Sequence, residues 1–158
     1  MPEPDGLIRA ARPDDGDAVR EIVEKAFEPY CARMDRRPAP MDADYCRLIA
    51  EGAVLVAETP DAVGGVVVAF VRDGVGFVET IAVAPGLQGD GWGKRLMVAA
   101  EQKLVDERVE MVELYTNEVM TETLPWYLRL GYHHAKTVNE EGYRRVYFRK
   151  RLKQTEEA

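Results

Sequence analysis

Cysteine is scarce in this chain: only Cys31 and Cys46 occur, far apart and in no C-x-x-C pair. That excludes a disulfide framework and leaves two reduced thiols expected to pack as small hydrophobes. Histidine is equally scarce, and His133 and His134 are adjacent. Neighbours on a strand face opposite sides and cannot chelate one ion, so no metal is expected and both are read as surface or edge residues. The longest apolar run, VGGVVVAFV, is too short to cross a bilayer, and the start MPEPDGLIRA lacks the basic region and apolar core of an export signal. A cytoplasmic protein without membrane contact is the expectation. Excess basic charge is also missing. The net charge of -7 disfavours a phosphate-tracking surface, and with it a nucleic-acid partner, while a small-molecule or cationic partner fits.

What is present suits one domain. A chain of 158 residues, 46% hydrophobic, can bury a substantial core, expected over about residues 7–150, with a frayed tail over 153–158. LIRAA reads as an opening strand, followed by a helix carrying Val19, Ile22, Val23, Ala26 and Phe27 on one face and ended by Pro29. The basic, proline-broken PYCARMDRRPAPM reads as a loop with a short helical piece, and a second helix is expected from Asp42 to Glu51 with Tyr45, Leu48 and Ile49 inward. Strands AVLVAE, GVVVAFV and GFVETIAV form an antiparallel meander, with turns over Pro60 to Gly64 and at Asp73-Gly74. A helix to about Arg108 buries Trp92, Leu96, Ala100 and Leu104, and VEMVELYT is the next strand. That order predicts a right-handed crossover joining two parallel strands. A helix over Thr123 to Leu130, capped by Gly131, precedes two strands closing over NEEG. The fold class is α/β (α+β): a mixed sheet of about seven strands with about four helices on its two faces.

The stretch VAPGLQGDGWGKRL puts four glycines between a strand and a helix, which is how a fold presents bare N–H groups to an anion. A P-loop fails because Gln88 stands at its first glycine and Arg95 at its hydroxyl position. A dinucleotide fingerprint fails because Lys94 or Leu96 stands at its last glycine. Gln88-x-x-Gly91-x-Gly93 resembles instead the [QR]-x-x-G-x-[GA] turn that holds the coenzyme A pyrophosphate in the GNAT superfamily of acyl-CoA-dependent N-acyltransferases. WYLRLGY resembles that family's second signature, at the usual distance beyond the turn. The likeness covers about residues 7–150. Within the family, RRPAPMDADY and TNEVMTETL are similar to phrases of a bacterial subgroup whose acceptor the resemblance does not name.

The resemblance implies acetyl-CoA as co-substrate, and direct transfer of its acetyl group to a primary amine in a ternary complex. An alkylamine is neutral to the extent of only about one molecule in a thousand near pH 7, a deficit of roughly 4 kcal/mol, so a proton acceptor is needed. Glu79 is the candidate base, directly or through water, and strand alternation predicts that it shares a face with Ile81 and Val83. Tyr127 is the candidate acid. Cofactor contacts are implied for Ile81, Ala82, Val83, Gln88, Gly89, Asp90, Gly91, Trp92, Gly93, Lys94 and Asn117, with Trp92 also readable as core and Asn117 as a turn cap. The acceptor is expected beside the loop from Tyr30 to Tyr45, at Tyr30, Arg33, Met41 and Tyr45, with Arg33, Arg36 and Arg37 as candidate holders of a carboxylate. An amino acid, a polyamine, a drug and a protein amine all fit, and the oligomeric state stays open between a monomer and a homodimer, family members often pairing. The rival reading is an acyl-CoA-binding module without transferase activity. Pro125 predicts that regular helix begins near Thr123, leaving NEVM irregular or as a separate turn.

Overall fold

The computed structural model describes residues 6–34 and 37–153; Arg36 and all of the tail beyond Lys153 lie outside them. Seven strands form one sheet in the order β1-β2-β3-β4-β5-β7-β6. They are β1 (Leu7–Ala10), β2 (Val54–Glu58), β3 (Val63–Arg72), β4 (Val75–Val83), β5 (Met111–Asn117), β6 (His133–Glu140) and β7 (Tyr143–Arg151). Every pairing is antiparallel except β4 with β5.

Helices α1 (Gly16–Phe27) and α2 (Tyr45–Ala50) cover one face, where Val19, Val23 and Leu48 pack on Val56, Val66 and Val68. Helices α3 (Trp92–Asp106) and α4 (Thr123–Arg129) cover the other, where Leu96, Ala100 and Leu104 pack on Val67, Ala69 and Val112. Strand β3 is therefore apolar on both sides, which explains its unbroken VVVA run. At Gly76 a Cβ would lie 2.8 Å from Leu104 Cδ1, so the bare backbone lets α3 settle onto β4.

Local signals fell where chemistry demands them. Asp73 and Gly74 both have positive φ, as a two-residue hairpin with matched twist requires, and Glu141-Gly142 does the same between β6 and β7. Gly131, at φ 95°, stops α4 and lets the Tyr132 N–H return to the Tyr127 carbonyl at 3.1 Å. Pro125 is the third residue of α4, where the missing N–H has no intrahelical partner to lose; of NEVM, Asn117 ends β5, Glu118 and Val119 form a turn and Met120 is irregular.

Several boundaries differ. Helix α2 starts at Tyr45 because Asp44 caps it, accepting from the Arg47 N–H at 3.1 Å, while Ala39–Asp42 forms a separate 3-10 turn. Gly64 is inside β3, so its turn is shorter than expected, and α1 continues past Phe27 as a 3-10 helix over Glu28–Arg33. Cys46 does not pack as a hydrophobe: it is exposed beside Arg20, whose Nη1 lies 3.3 Å from its sulfur. His133 and His134 are exposed on β6, the sheet's edge.

Candidate active site

The parallel pairing of β4 with β5 runs only from Gly76↔Val112 to Val78↔Leu114, although both strands continue. Opposite β3, the register slips between Val68↔Thr80 and Ala69↔Val78, leaving Glu79 as the extra residue of a β-bulge. A bulge bends its strand and disrupts pairing, and here the two parallel strands part just beyond it. The resulting gap is the centre of a cavity of about 440 Å³.

The bulge also overturns the expected face of Glu79. Val78 and Ile81 both pack toward α3, whereas Ala82 packs with α1 and α2, so the simple alternation breaks at residue 79. Glu79 faces Arg47 and Arg72, and its charge is felt by Tyr45 and Tyr115. It therefore looks into the α1–α2 half of the cavity, not along Ile81 and Val83. Burial raises its pKa above the ordinary carboxylate range, against the pull of the two arginines.

Beyond the bulge, Ala84 donates to the Gly64 carbonyl at 2.9 Å, so the alternating amides of Val83 and Ile81 point the other way, into the gap. Ala82 lines the cavity, but its amide is turned toward β3, a correction to its expected role. Gln88 folds back, donating from Nε2 to the Val83 carbonyl at 3.0 Å, and so fixes the turn against the strand end.

In the turn, Gly89 and Gly91 have φ of 89° and 87°, and nothing lies within 4 Å of where their Cβ atoms would be. No side chain caps α3, and helix geometry leaves the N–H groups of its first turn without intrahelical acceptors. Gly89, Gly91, Gly93 and Lys94 line the cavity; Asp90 and Trp92 do not. Trp92 is 2% exposed within the α3 core, with Arg95 stacked 4.3 Å from its ring, so it is a packing residue. Asp90 is exposed, its side chain on the solvent side of the turn. Asn117 borders the gap but commits its Oδ1 to the Val119 N–H at 3.0 Å, the arrangement of a turn cap. A side-chain-free anion cradle leading into a gap lined by strand amides fits a long, diphosphate-bearing coenzyme.

Tyr127 closes the gap from α4. It is 6% exposed, packed against Trp126, Tyr132 and Phe148, yet it lines the cavity, and among the described residues its hydroxyl has no hydrogen-bond partner. Burial pushes its pKa upward, which keeps the phenol protonated.

On the acceptor side the sequence reading fares less well. Tyr30 lines the cavity, but Arg33, Met41 and Tyr45 do not. Arg33 bonds Glu122 at 2.6 Å and the Val119 carbonyl at 3.3 Å. Met41 lies against the Cys31 sulfur, 3.8 Å away, and Tyr45 is fully buried, donating to the Pro40 carbonyl at 2.6 Å. Arg37 is held by Asp42 at 3.0 Å. These contacts fold the loop into a wall, and Tyr143 ties it to β7 by donating to the Arg37 carbonyl at 2.6 Å. Sequence reasoning missed Tyr115, Tyr143 and Arg145, all of which line the cavity from β5 and β7.

Comparison with known proteins agrees with this geometry. The family model described as "Acetyltransferase (GNAT) family" matches residues 17–132. The chain is similar to the PaiA N-acetyltransferase of Thermoplasma acidophilum, solved with coenzyme A (TM-score 0.77, 14% identity, 92% of this chain and 98% of that one). It is also similar to Ard1 of Thermoplasma volcanium (0.75, 16%, 94% and 99%) and to the ribosomal-protein-S18-alanine N-acetyltransferase of Escherichia coli (0.73, 14%, 96% and 97%). No curated protein sequence matches significantly. Among the described residues no helix is long and apolar enough to cross a membrane, and no group of three metal-ligating side chains occurs.

Proposed function

The chain belongs to the GNAT acetyltransferase family, and we propose that it moves an acetyl group from acetyl-CoA to a primary amine by direct attack in a ternary complex. One arrangement carries this reading: a single cavity runs from the bare turn at Gly89 and Gly91, past Tyr127, to Glu79. Acetyl-CoA would supply an acyl group activated as a thioester. The turn amides and Lys94 would hold its diphosphate, and the Ile81 and Val83 amides would align its arm within the gap and steady charge at the carbonyl oxygen.

Glu79 takes the proton of the acceptor ammonium, directly or through a water, leaving the nitrogen lone pair free to form the new C–N bond. A carboxyl group whose pKa burial has raised is better matched to that task than an exposed one. Tyr127 holds a proton on its phenol oxygen where the sulfur leaves as the C–S bond breaks. A thiol has a pKa of about 8.5, so this donation assists a leaving group that can also depart unaided.

Consumption of acetyl-CoA with a pooled panel of amines tests the reading. Amine-dependent turnover is expected, and Tyr127→Phe is expected to slow it severalfold with little change in acetyl-CoA affinity. Coenzyme binding without turnover on any amine would favour the binding-module reading; undiminished turnover by Tyr127→Phe would remove that residue's role.

A further inference from the structure

We infer that the acceptor is a small amine that also carries a carboxylate, held by the Arg145 guanidinium while its amino group meets Glu79. This rests on the transferase reading of the same cavity. Arg145, on β7, is only 7% exposed, yet it lines the cavity. Its guanidinium lies 4.3 Å from the centre of the Tyr115 ring and 5.2 Å from that of Tyr143, which fixes its plane.

Its polar partners are few. Among the described residues its one hydrogen bond is from Nη2 to Glu141 at 3.3 Å, and Glu140 stands 4.0 Å from Nη1. A guanidinium has five N–H donors in a planar fork, and a buried one with most of them unused is costly unless a ligand engages them. A carboxylate matches that fork with two parallel bonds. Arg33 and Arg37, the nearby cations of the acceptor loop, are held closer by Glu122 at 2.6 Å and Asp42 at 3.0 Å, and neither lines the cavity.

Placement completes the argument. Strands β4, β5 and β7 are consecutive in the sheet, but β4 leaves β5 beyond Val78, and Arg145 pairs with Asn117, two residues past Tyr115, so the Glu79 and Arg145 backbones are more than two strand spacings (about 10 Å) apart, with both residues lining the one cavity between them. The intervening wall is aromatic and apolar, built from Phe27, Tyr30, Tyr115 and Tyr143. A negative group at one end and a positive group at the other suit a zwitterion with an apolar body. A polyamine would set a second cation against Arg145, which is repulsive.

Steady-state kinetics at saturating acetyl-CoA, with amino acids matched against the amines left by removing the carboxyl group (phenylalanine with phenethylamine, lysine with cadaverine), tests this. The carboxylate series is expected to have the higher kcat/KM by about tenfold or more, as charged hydrogen bonds of this type give. Arg145→Lys, which keeps the charge but loses the fork, is expected to collapse that ratio by raising KM for the amino acids more than it lowers kcat. Glu141→Gln, at an exposed residue, removes the competing carboxylate and is expected to lower KM for the amino acids. Equal or better turnover of the bare amines by the wild type, or a ratio that neither variant moves, overturns the inference and leaves the transferase standing. Absence of turnover in both series overturns the two together.

Discussion

Glu79 is a half-buried carboxyl group on a strand bulge, with Arg47 and Arg72 the cations in its field. Because burial outweighs those cations, its base form is lost on acidification at a higher pH than the usual carboxylate value of about 4.3. The rate is therefore expected to fall as pH drops through that raised value. Glu79→Gln should lower kcat by about a hundredfold, within the range for general-base catalysis, and should abolish this acid limb. A pH–rate profile is the check, and a variant that keeps the limb would assign it to another group. The residue's chemistry was legible from sequence, but its direction was not. Strand alternation put Glu79 beside Ile81 and Val83, and one inserted residue against β3 turned it to the opposite side. Nothing local marks that slip, since it is set by pairing with Val68 and Ala69. Arg145 and Tyr143 were missed for a related reason: more than a hundred residues separate Tyr143 from the loop it ties down, so the contact is tertiary and leaves no spacing to read.

At the level of elements, the glycine turn was legible because its requirements are local. Left-handed φ at Gly89 and Gly91 and the bare first turn of α3 follow from residue type alone. Gly91→Val would force a β-branched residue into the left-handed region at a cost of about 1–2 kcal/mol and set a side chain over the amides. It is expected to raise KM for acetyl-CoA well above its effect on the acceptor KM, measured by varying each substrate in turn. Equal effects on both would mean general damage to the site. The acceptor loop over Glu28–Asp42 was legible only as a basic, proline-broken segment. Two of its arginines serve the wall itself: Arg33 braces the turn before α4, and Arg37 binds Asp42. Arg33→Ala is accordingly expected to loosen the loop, seen as faster amide hydrogen exchange at Tyr30 and Val119, rather than to abolish acceptor binding.

Over the whole molecule, two helical layers on a twisted sheet hold the gap open, and β1 is anchored into that frame by Arg9, which bonds Asp15 at 2.8 Å and Glu58 at 2.8 Å. The hydrogen bond from Arg9 lowers the Asp15 pKa below 3.8, despite the opposing effect of burial. The stabilisation is complete above the unfolded carboxyl value and is lost as pH falls through the lower folded one. Asp15→Asn should therefore flatten the decline of melting temperature below about pH 4 that the wild type shows; an unchanged decline would place it in other carboxylates. The order of elements was readable because glycines, prolines and apolar periodicity punctuate this chain clearly, while the parting of β4 from β5 emerged only from the sheet as a unit. The proposed transfer depends most on that parted pair and the turn beside it receiving coenzyme A. Melting the protein with coenzyme A at a hundred times its Kd should add about 2.7 kcal/mol of stability, and at the same concentration Gly91→Val should gain far less. A wild type that melts identically with and without the coenzyme would contradict it.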